Sequence, residues 1–260
     1  MSIFQSVVLG LVQGFTEFLP ISSSGHLVLF SGLFKLEESS QLLFFAMLHV
    51  ATLVAVLLFF FRDLIKLRLK DYWIIGVGTL PALIIGLLFK DFLESLFVLP
   101  VLNSVTLVMT GLINIAADKK MQTLPEESPA KSTLTPGWKQ AIVVGIAQAI
   151  SIIPGISRSG STVATGVFMN MPRTQAFKFS FFLSIPAILG ASLLEVADHI
   201  SQTQSFSLTV AEWIGLLAAF VGGLLSLKLF SLVIHKAQLK WFGYYVITVG
   251  ILSGLYFVFL

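Results

Sequence analysis

Glu17, Ser22, Ser23, Ser24, Gly25 and His26 lie within ten residues of one another, on either side of Pro20. A carboxylate, three hydroxyls and an imidazole in that spacing supply a metal ligand or base, a nucleophile and a proton shuttle. Gln13 stands four residues before Glu17 and shares its helix face. A second stretch, PGISRSGST at 154–162, sets Arg158 among Ser157, Ser159, Ser161 and Thr162, with Gly155 and Gly160 beside them. A guanidinium fork among hydroxyls and glycines binds oxyanions, because it offers charged donors and lets backbone N–H groups approach. Helices restarting near Gly25 and near Ser161 would each aim a positive N-terminal end into the same space. Together these residues describe an anion site, and phosphate suits it best. They do not separate an enzyme that cleaves a phosphorylated ligand from a carrier that moves it.

The elements that must position these residues are membrane helices. The chain is 56% hydrophobic and 11% charged, with a mean hydropathy of +0.95. Six stretches, 41–61, 72–89, 98–116, 179–194, 210–231 and 241–260, are long enough or nearly so to fill a bilayer core, which takes about 20 apolar residues. No basic residue precedes Lys35, so the N-terminal apolar run is not read as a cleavable signal peptide. The absence of cysteine excludes disulfides, thiol nucleophiles and zinc–thiolate sites. A net charge of +3 confined to loops excludes nucleic acid as a partner. Burying a charge in the bilayer costs about 2.5–3.5 kcal/mol or more, so Glu17 and Arg158 are read as functional.

The two polar stretches are copies of each other. VVLGLVQGFTEFLPISSSGH (7–26) aligns without a gap on IVVGIAQAISIIPGISRSGS (142–161), matching Gly10 with Gly145, Gln13 with Gln148, Ser22 with Ser157, Ser24 with Ser159 and Gly25 with Gly160. Each half reads as a re-entrant helix hairpin, broken at Pro20–Gly25 or Pro154–Gly160, followed by three spanning helices. Three is odd, so the second half must enter the membrane from the opposite side. The expectation is an all-α polytopic protein: one integral membrane domain, an inverted-topology repeat of residues 1–117 and 138–260, and a cytoplasmic linker at 118–137. Two kinked spanning helices at 2–34 and 138–172 would be the plainer alternative.

Loop charges give an orientation. Arg62, Lys66, Arg68 and Lys70, then Lys119, Lys120, Lys131 and Lys139, then His235, Lys236 and Lys240 mark cytoplasmic loops; 90–97 and 195–209 are expected outside, with both termini. Other polar residues have ordinary readings. Small hydroxyls such as Ser22, Ser24, Ser151 and Ser180 serve close helix packing as readily as chemistry. His49 is either a satisfied core histidine or a site residue, Lys178 snorkels, and Glu195, Asp198 and His199 belong to a loop or helix end. Gln148 matches Gln13 and is read as polar glue between the repeats.

QGFTEFLPISSSGH (13–26) and PGISRSGST (154–162) closely resemble the two signatures of the bacterial undecaprenyl-diphosphate phosphatases, the bacitracin-resistance family, and the resemblance extends over the whole chain. It implies hydrolysis of undecaprenyl diphosphate to undecaprenyl phosphate and inorganic phosphate, which recycles the lipid carrier of peptidoglycan synthesis. It further implies a plasma-membrane location, a site open to the outer face and a divalent cation, Mg²⁺ or Ca²⁺. Carried over by residue, Glu17, Ser23, His26 and Arg158 are catalytic, with Glu17 the metal ligand. Gln13, Ser22, Ser24, Gly25, Ser157, Ser159, Gly160, Ser161 and Thr162 bind substrate. Gln13 stands where some members have Glu and supplies no carboxylate. Ser23 is the expected nucleophile with His26 as its base; attack by His26, or by water that it activates, is the competing arrangement. Membrane lipid and the polyprenyl diphosphate are the expected partners, and a second copy of the chain is a candidate. A secondary carrier or lipid-phosphate flippase is the alternative from another class.

Overall fold

The computed structural model describes residues 1–36, 42–124 and 135–259, and among these every regular element is a helix. The first half holds α1 (Ile3–Phe18), α2 (Ser23–Leu33), α3 (Leu42–Phe59), α4 (Phe61–Leu64), α5 (Leu69–Leu88), α6 (Lys90–Phe97) and α7 (Pro100–Thr123). The second holds α8 (Trp138–Ile150), α9 (Arg158–Phe168), α10 (Arg173–Thr203), α11 (Val210–Lys236) and α12 (Lys240–Phe259). Six of these, α3, α5, α7, α10, α11 and α12, are long and apolar enough to cross a membrane.

Local chemistry sets the boundaries. Ser2 and Gln5 form a capping box at the start of α1. Pro20 forces Leu19 into extended backbone and stops the helix. Ser22 and Ser157 cap α2 and α9, each side chain accepting the backbone N–H three residues on, from Gly25 and Gly160. Thr209 and Glu212 form a second capping box, on α11.

Several boundaries differ from the sequence reading. The span expected at 179–194 is a 31-residue helix, α10, so Glu195, Asp198 and His199 are helical and the intervening loop is short. The stretch 90–97 is the amphipathic helix α6 rather than a loop. Lys178 does not snorkel alone; it pairs with Asp63 at 2.8 Å. Of the expected linker, 118–123 continues α7, and residues 125–134 lie outside the described residues.

The packing is reciprocal. The first helix pair leans on the other half, α1 against α11, while α8 leans on α5; the third spanning helices, α7 and α12, pack on each other. Glycines permit this. A methyl group on Gly10 would fall on the carbonyl oxygen of Gly215, and one on its duplicate Gly145 on the carbonyl oxygen of Gly78. Gly111 and Gly243 meet in the same reciprocal way between α7 and α12. Small residues let backbones approach where lipid supplies no hydrophobic driving force, so contact between helices rests on close packing. An aromatic cluster of Phe60, Phe177, Phe181, Phe182 and Phe230 fills the space between α3, α10 and α11.

Gly145→Ala is therefore expected to force α8 from α5 and cost about 1–3 kcal/mol, read as a lower thermal midpoint in detergent. Gly190→Ala, where an added methyl group meets nothing within 4 Å, is expected to leave the midpoint unchanged or raise it.

Candidate active site

Glu17 sits on the last turn of α1, and both breaks converge on it. Ser23, the first residue of α2, donates its hydroxyl to Glu17 Oε2 at 2.6 Å. Arg158, the first residue of α9, donates from Nη2 to Glu17 Oε1 at 2.8 Å. Gln13, one turn earlier on α1, adds an amide N–H to Oε2 at 3.2 Å. Ser23 and Arg158 occupy equivalent places in the duplication, so the two short helices bring matching N-terminal positions to one carboxylate from two sides. Burial of Glu17, 8% exposed, is offset by this charged and hydrogen-bonded shell. The Arg158 guanidinium lies 5.7 Å from the Phe181 ring centre, a cation–π contact, and its Nη1 is buried with no partner among the described residues.

One helix holds both breaks in place. Asn114 on α7 donates to the carbonyl of Pro20 at 2.6 Å, and Asn103 to that of Gly25 at 3.3 Å. Thr106 donates to the carbonyl of Pro154 at 2.6 Å, and Thr110 to that of Gly155 at 2.9 Å, while Thr110 also accepts the backbone N–H of Ser157 at 3.0 Å. Gly155 has φ +84°, a conformation that glycine takes without strain, and a side chain there would strike Thr106 and Asn103. Non-helical backbone in an apolar setting needs such partners. These four residues were missed in the sequence reading, although Asn103, Thr106, Thr110 and Asn114 form a polar stripe at three- and four-residue spacing within an apolar span.

A cavity of about 380 Å³ opens from Glu17, Ser22, Ser23, Ser24, Ser157 and Arg158. Its walls are largely the apolar faces of α5 and α10, and Lys90, Glu94 and Glu195 also line it. Lys90 is bonded to Asp198, and that hydrogen bond raises the Lys90 pKa, which keeps the ammonium charged. His49 also lines the cavity. Its Nδ1 faces the Phe45 carbonyl at 2.9 Å and its Nε2 lies 3.8 Å from Glu17 Oε2.

Not every expected residue reaches this space. His26 does not meet Ser23: Nδ1 pairs with the Ser22 carbonyl at 2.8 Å and Nε2 with the Tyr245 hydroxyl at 3.0 Å. The serine that was expected to have an imidazole partner has a carboxylate instead. Gly25 and Gly160 give their N–H groups to the capping serines. Ser159 donates to the Leu19 carbonyl and Thr162 to that of Arg158, so both tie the site together from behind. Ser161 lies on α9 next to the cap, its N–H bonded to the Ser157 carbonyl. Gln148 borders the cavity and reaches the Leu183 carbonyl at 3.5 Å rather than Gln13.

This arrangement can hold a phosphorylated headgroup against Arg158 and two helix N-termini, with a hydroxyl already bonded to a base. The family model described as bacitracin resistance protein BacA matches residues 6–252. The chain belongs to this family. It is 41% identical over 258 residues to an undecaprenyl-diphosphatase of Carboxydothermus hydrogenoformans, covering 96% of each chain. It is 38% identical over 251 residues to one of Methanococcus maripaludis, covering 93% of this chain and 95% of the relative. A third, from Halothermothrix orenii, is 37% identical over 258 residues, 97% of each chain. In this chain the α7 stripe supplies the partners that the backbone of the two breaks needs.

Asn114→Leu and Thr110→Val are each expected to strand a buried carbonyl at a break and to cost about 1–3 kcal/mol. Thermal unfolding in detergent measures this, and the double variant is expected to lose more than either alone.

Proposed function

We infer that Ser23, Glu17 and Arg158 are the catalytic group of an undecaprenyl-diphosphate phosphatase. The chain is a multi-pass membrane hydrolase that removes the terminal phosphate of undecaprenyl diphosphate, an activity that fits bacitracin resistance. The observation that carries the residue assignment is the 2.6 Å bond from the Ser23 hydroxyl to Glu17. In the reaction the Ser23 oxygen attacks the terminal phosphorus and its proton passes to Glu17. The bond from that phosphorus to the bridging oxygen breaks, and the lipid monophosphate leaves with the electron pair. Glu17 gives that proton to the departing lipid phosphate and so returns to its carboxylate form. Water then attacks the phosphoserine, Glu17 takes one proton from it, and that proton passes to the Ser23 oxygen as inorganic phosphate departs. Arg158 and the N-termini of α2 and α9 stabilise charge on the equatorial oxygens, where phosphoryl transfer draws most of its catalysis.

A divalent cation, Mg²⁺ or Ca²⁺, fits as a companion of the diphosphate. Glu17 offers carboxylate oxygen, and the buried Oε1 of Gln13 has no partner among the described residues; both are oxygen donors that such ions accept. No three acidic, histidine or cysteine side chains cluster among the described residues, which supports ligands drawn largely from the diphosphate and water. When bound, the ion neutralises charge on the phosphates.

The topology follows the same reading. At 16 residues α1 is about 24 Å long, short of the roughly 30 Å bilayer core, which supports a re-entrant hairpin; 13 residues make α8 shorter still. Reciprocal packing of α1 on α11 and α8 on α5 supports an inverted repeat. Arg62, Lys66 and Arg68 precede α5 and Lys70 lies in its first turn, so its far end, with Lys90 of the cavity lining, falls on the outer side of a bacterial plasma membrane, as do both termini. A carrier would share this packing, but it has no use for a serine bonded to a buried carboxylate.

Purified protein given farnesyl diphosphate with magnesium is expected to release phosphate. Ser23→Ala and Glu17→Gln are expected to lower kcat by at least about 10³-fold, and Arg158→Lys by about 10²-fold, through loss of the guanidinium fork. Stopping turnover with acid is expected to trap label on serine; acid-labile label on histidine would sink the assignment.

A further inference from the structure

The cavity chemistry leaves the buried imidazole of His26 unused. His26 is 4% exposed, lies outside the cavity lining, and stacks on Tyr245 with ring planes 10° apart and centres 5.7 Å apart. A backbone carbonyl only accepts, so the bond to Ser22 puts the proton of the neutral ring on Nδ1. Nε2 is then an acceptor, and the Tyr245 hydroxyl donates to it. Both nitrogens are committed, and neither faces Ser23.

What they are committed to is strained. Ser22 has φ +70° and ψ 105°, a left-handed backbone that a residue with a side chain adopts only when its surroundings impose it. The next residue is Ser23, whose hydroxyl must reach Glu17. The duplication supplies an internal comparison. Ser157, the equivalent of Ser22, has an ordinary φ of −71°, and the equivalent of His26 is Ser161, which reaches the Ser157 carbonyl through its backbone N–H. Only the strained copy carries an imidazole on that carbonyl, braced by a tyrosine from the other half of the chain.

We propose that His26 and Tyr245 are a positioning pair that holds Ser22 in its left-handed turn and so keeps the Ser23 hydroxyl on Glu17. Tyr245 is thereby a residue of the reaction although it lies outside both polar motifs and outside the cavity lining. The proposal rests on Ser23 and Glu17 being the acting pair.

The test is phosphate release from farnesyl diphosphate with magnesium by wild type and six variants in detergent. His26→Ala is expected to lower kcat by about 10- to 100-fold, the equivalent of freeing a strained residue, with KM little changed. His26→Asn keeps an N–H donor at the Nδ1 position and is expected to recover most of the loss, whereas a base or nucleophile could not be replaced by an amide. Tyr245→Phe is expected to lower kcat a few-fold. The deciding comparison is His26→Ala placed in a Ser22→Gly background, because glycine takes φ +70° freely and still serves as an N-cap. Whatever loss of the Ser22 hydroxyl itself costs, removing the imidazole there is expected to lower kcat by less than about 3-fold further. If His26→Asn stays as inactive as His26→Ala, and His26→Ala costs as much in the Ser22→Gly background as it does in wild type, with all variants folded by size exclusion, positioning is overturned and the imidazole acts chemically. Ser23→Ala in the same series tests the acting pair alone: retained activity there would remove the premise and leave the behaviour of His26 to be read separately.

Discussion

A helix that breaks in a protein interior leaves carbonyls and N–H groups without helical partners, and this chain breaks two of them at the same place. The polar stripe of α7 is the condition for everything else. Asn114 and Asn103 take the carbonyls around Pro20 and Gly25, and Thr106 and Thr110 those of Pro154 and Gly155. Without them the backbone around Ser22 and Ser157 would carry unpaired groups at several kcal/mol each. With them, two helix N-termini are fixed against one carboxylate.

Duplication then explains both the likeness and the difference between the breaks. Gly10 and Gly145 each sit under a backbone carbonyl of the opposite half, so the copies interlock by the same contact. On that common frame single positions have diverged. Glu17 faces a cavity from α1, while its counterpart Ile152 lines the same cavity as an apolar wall. Ser23 faces its counterpart Arg158 across Glu17. Duplicate positions that meet near a common point can share one site, and sharing is what lets one side become reactive and the other a clamp.

The reach of charge is equally restricted. Arg158 and Glu17 satisfy each other in the interior, and Phe181 covers the guanidinium. Lys178 is matched by Asp63, and Lys90 by Asp198 and Glu94. These two lysines thus sit in pairs, and the cavity walls along α5 and α10 are largely apolar, which suits a ligand with a charged head and a hydrocarbon tail.

Much of this was readable in the residues alone. Length of apolar runs determined the six spanning helices, because a bilayer core demands them. The gapless match of 7–26 with 142–161 showed two equivalent breaks, and the cost of burying charge singled out Glu17 and Arg158. What spacing could not decide was which side chain meets which. Three residues separate Ser23 from His26, close enough to suggest a serine–imidazole pair. On a helix that begins at Ser23, however, the ring turns back to the Ser22 carbonyl, and Tyr245, 219 positions away in sequence, fixes it there. Glu17 becomes the partner of Ser23 only because Pro20 folds α2 back beside α1. The α7 stripe was visible as a pattern, but its purpose depended on carbonyls supplied by segments far off in the chain. Sequence determined which groups are too costly to bury without a reason; the tertiary structure decided the reasons, because hydrogen bonds are settled by distance in space and not along the chain.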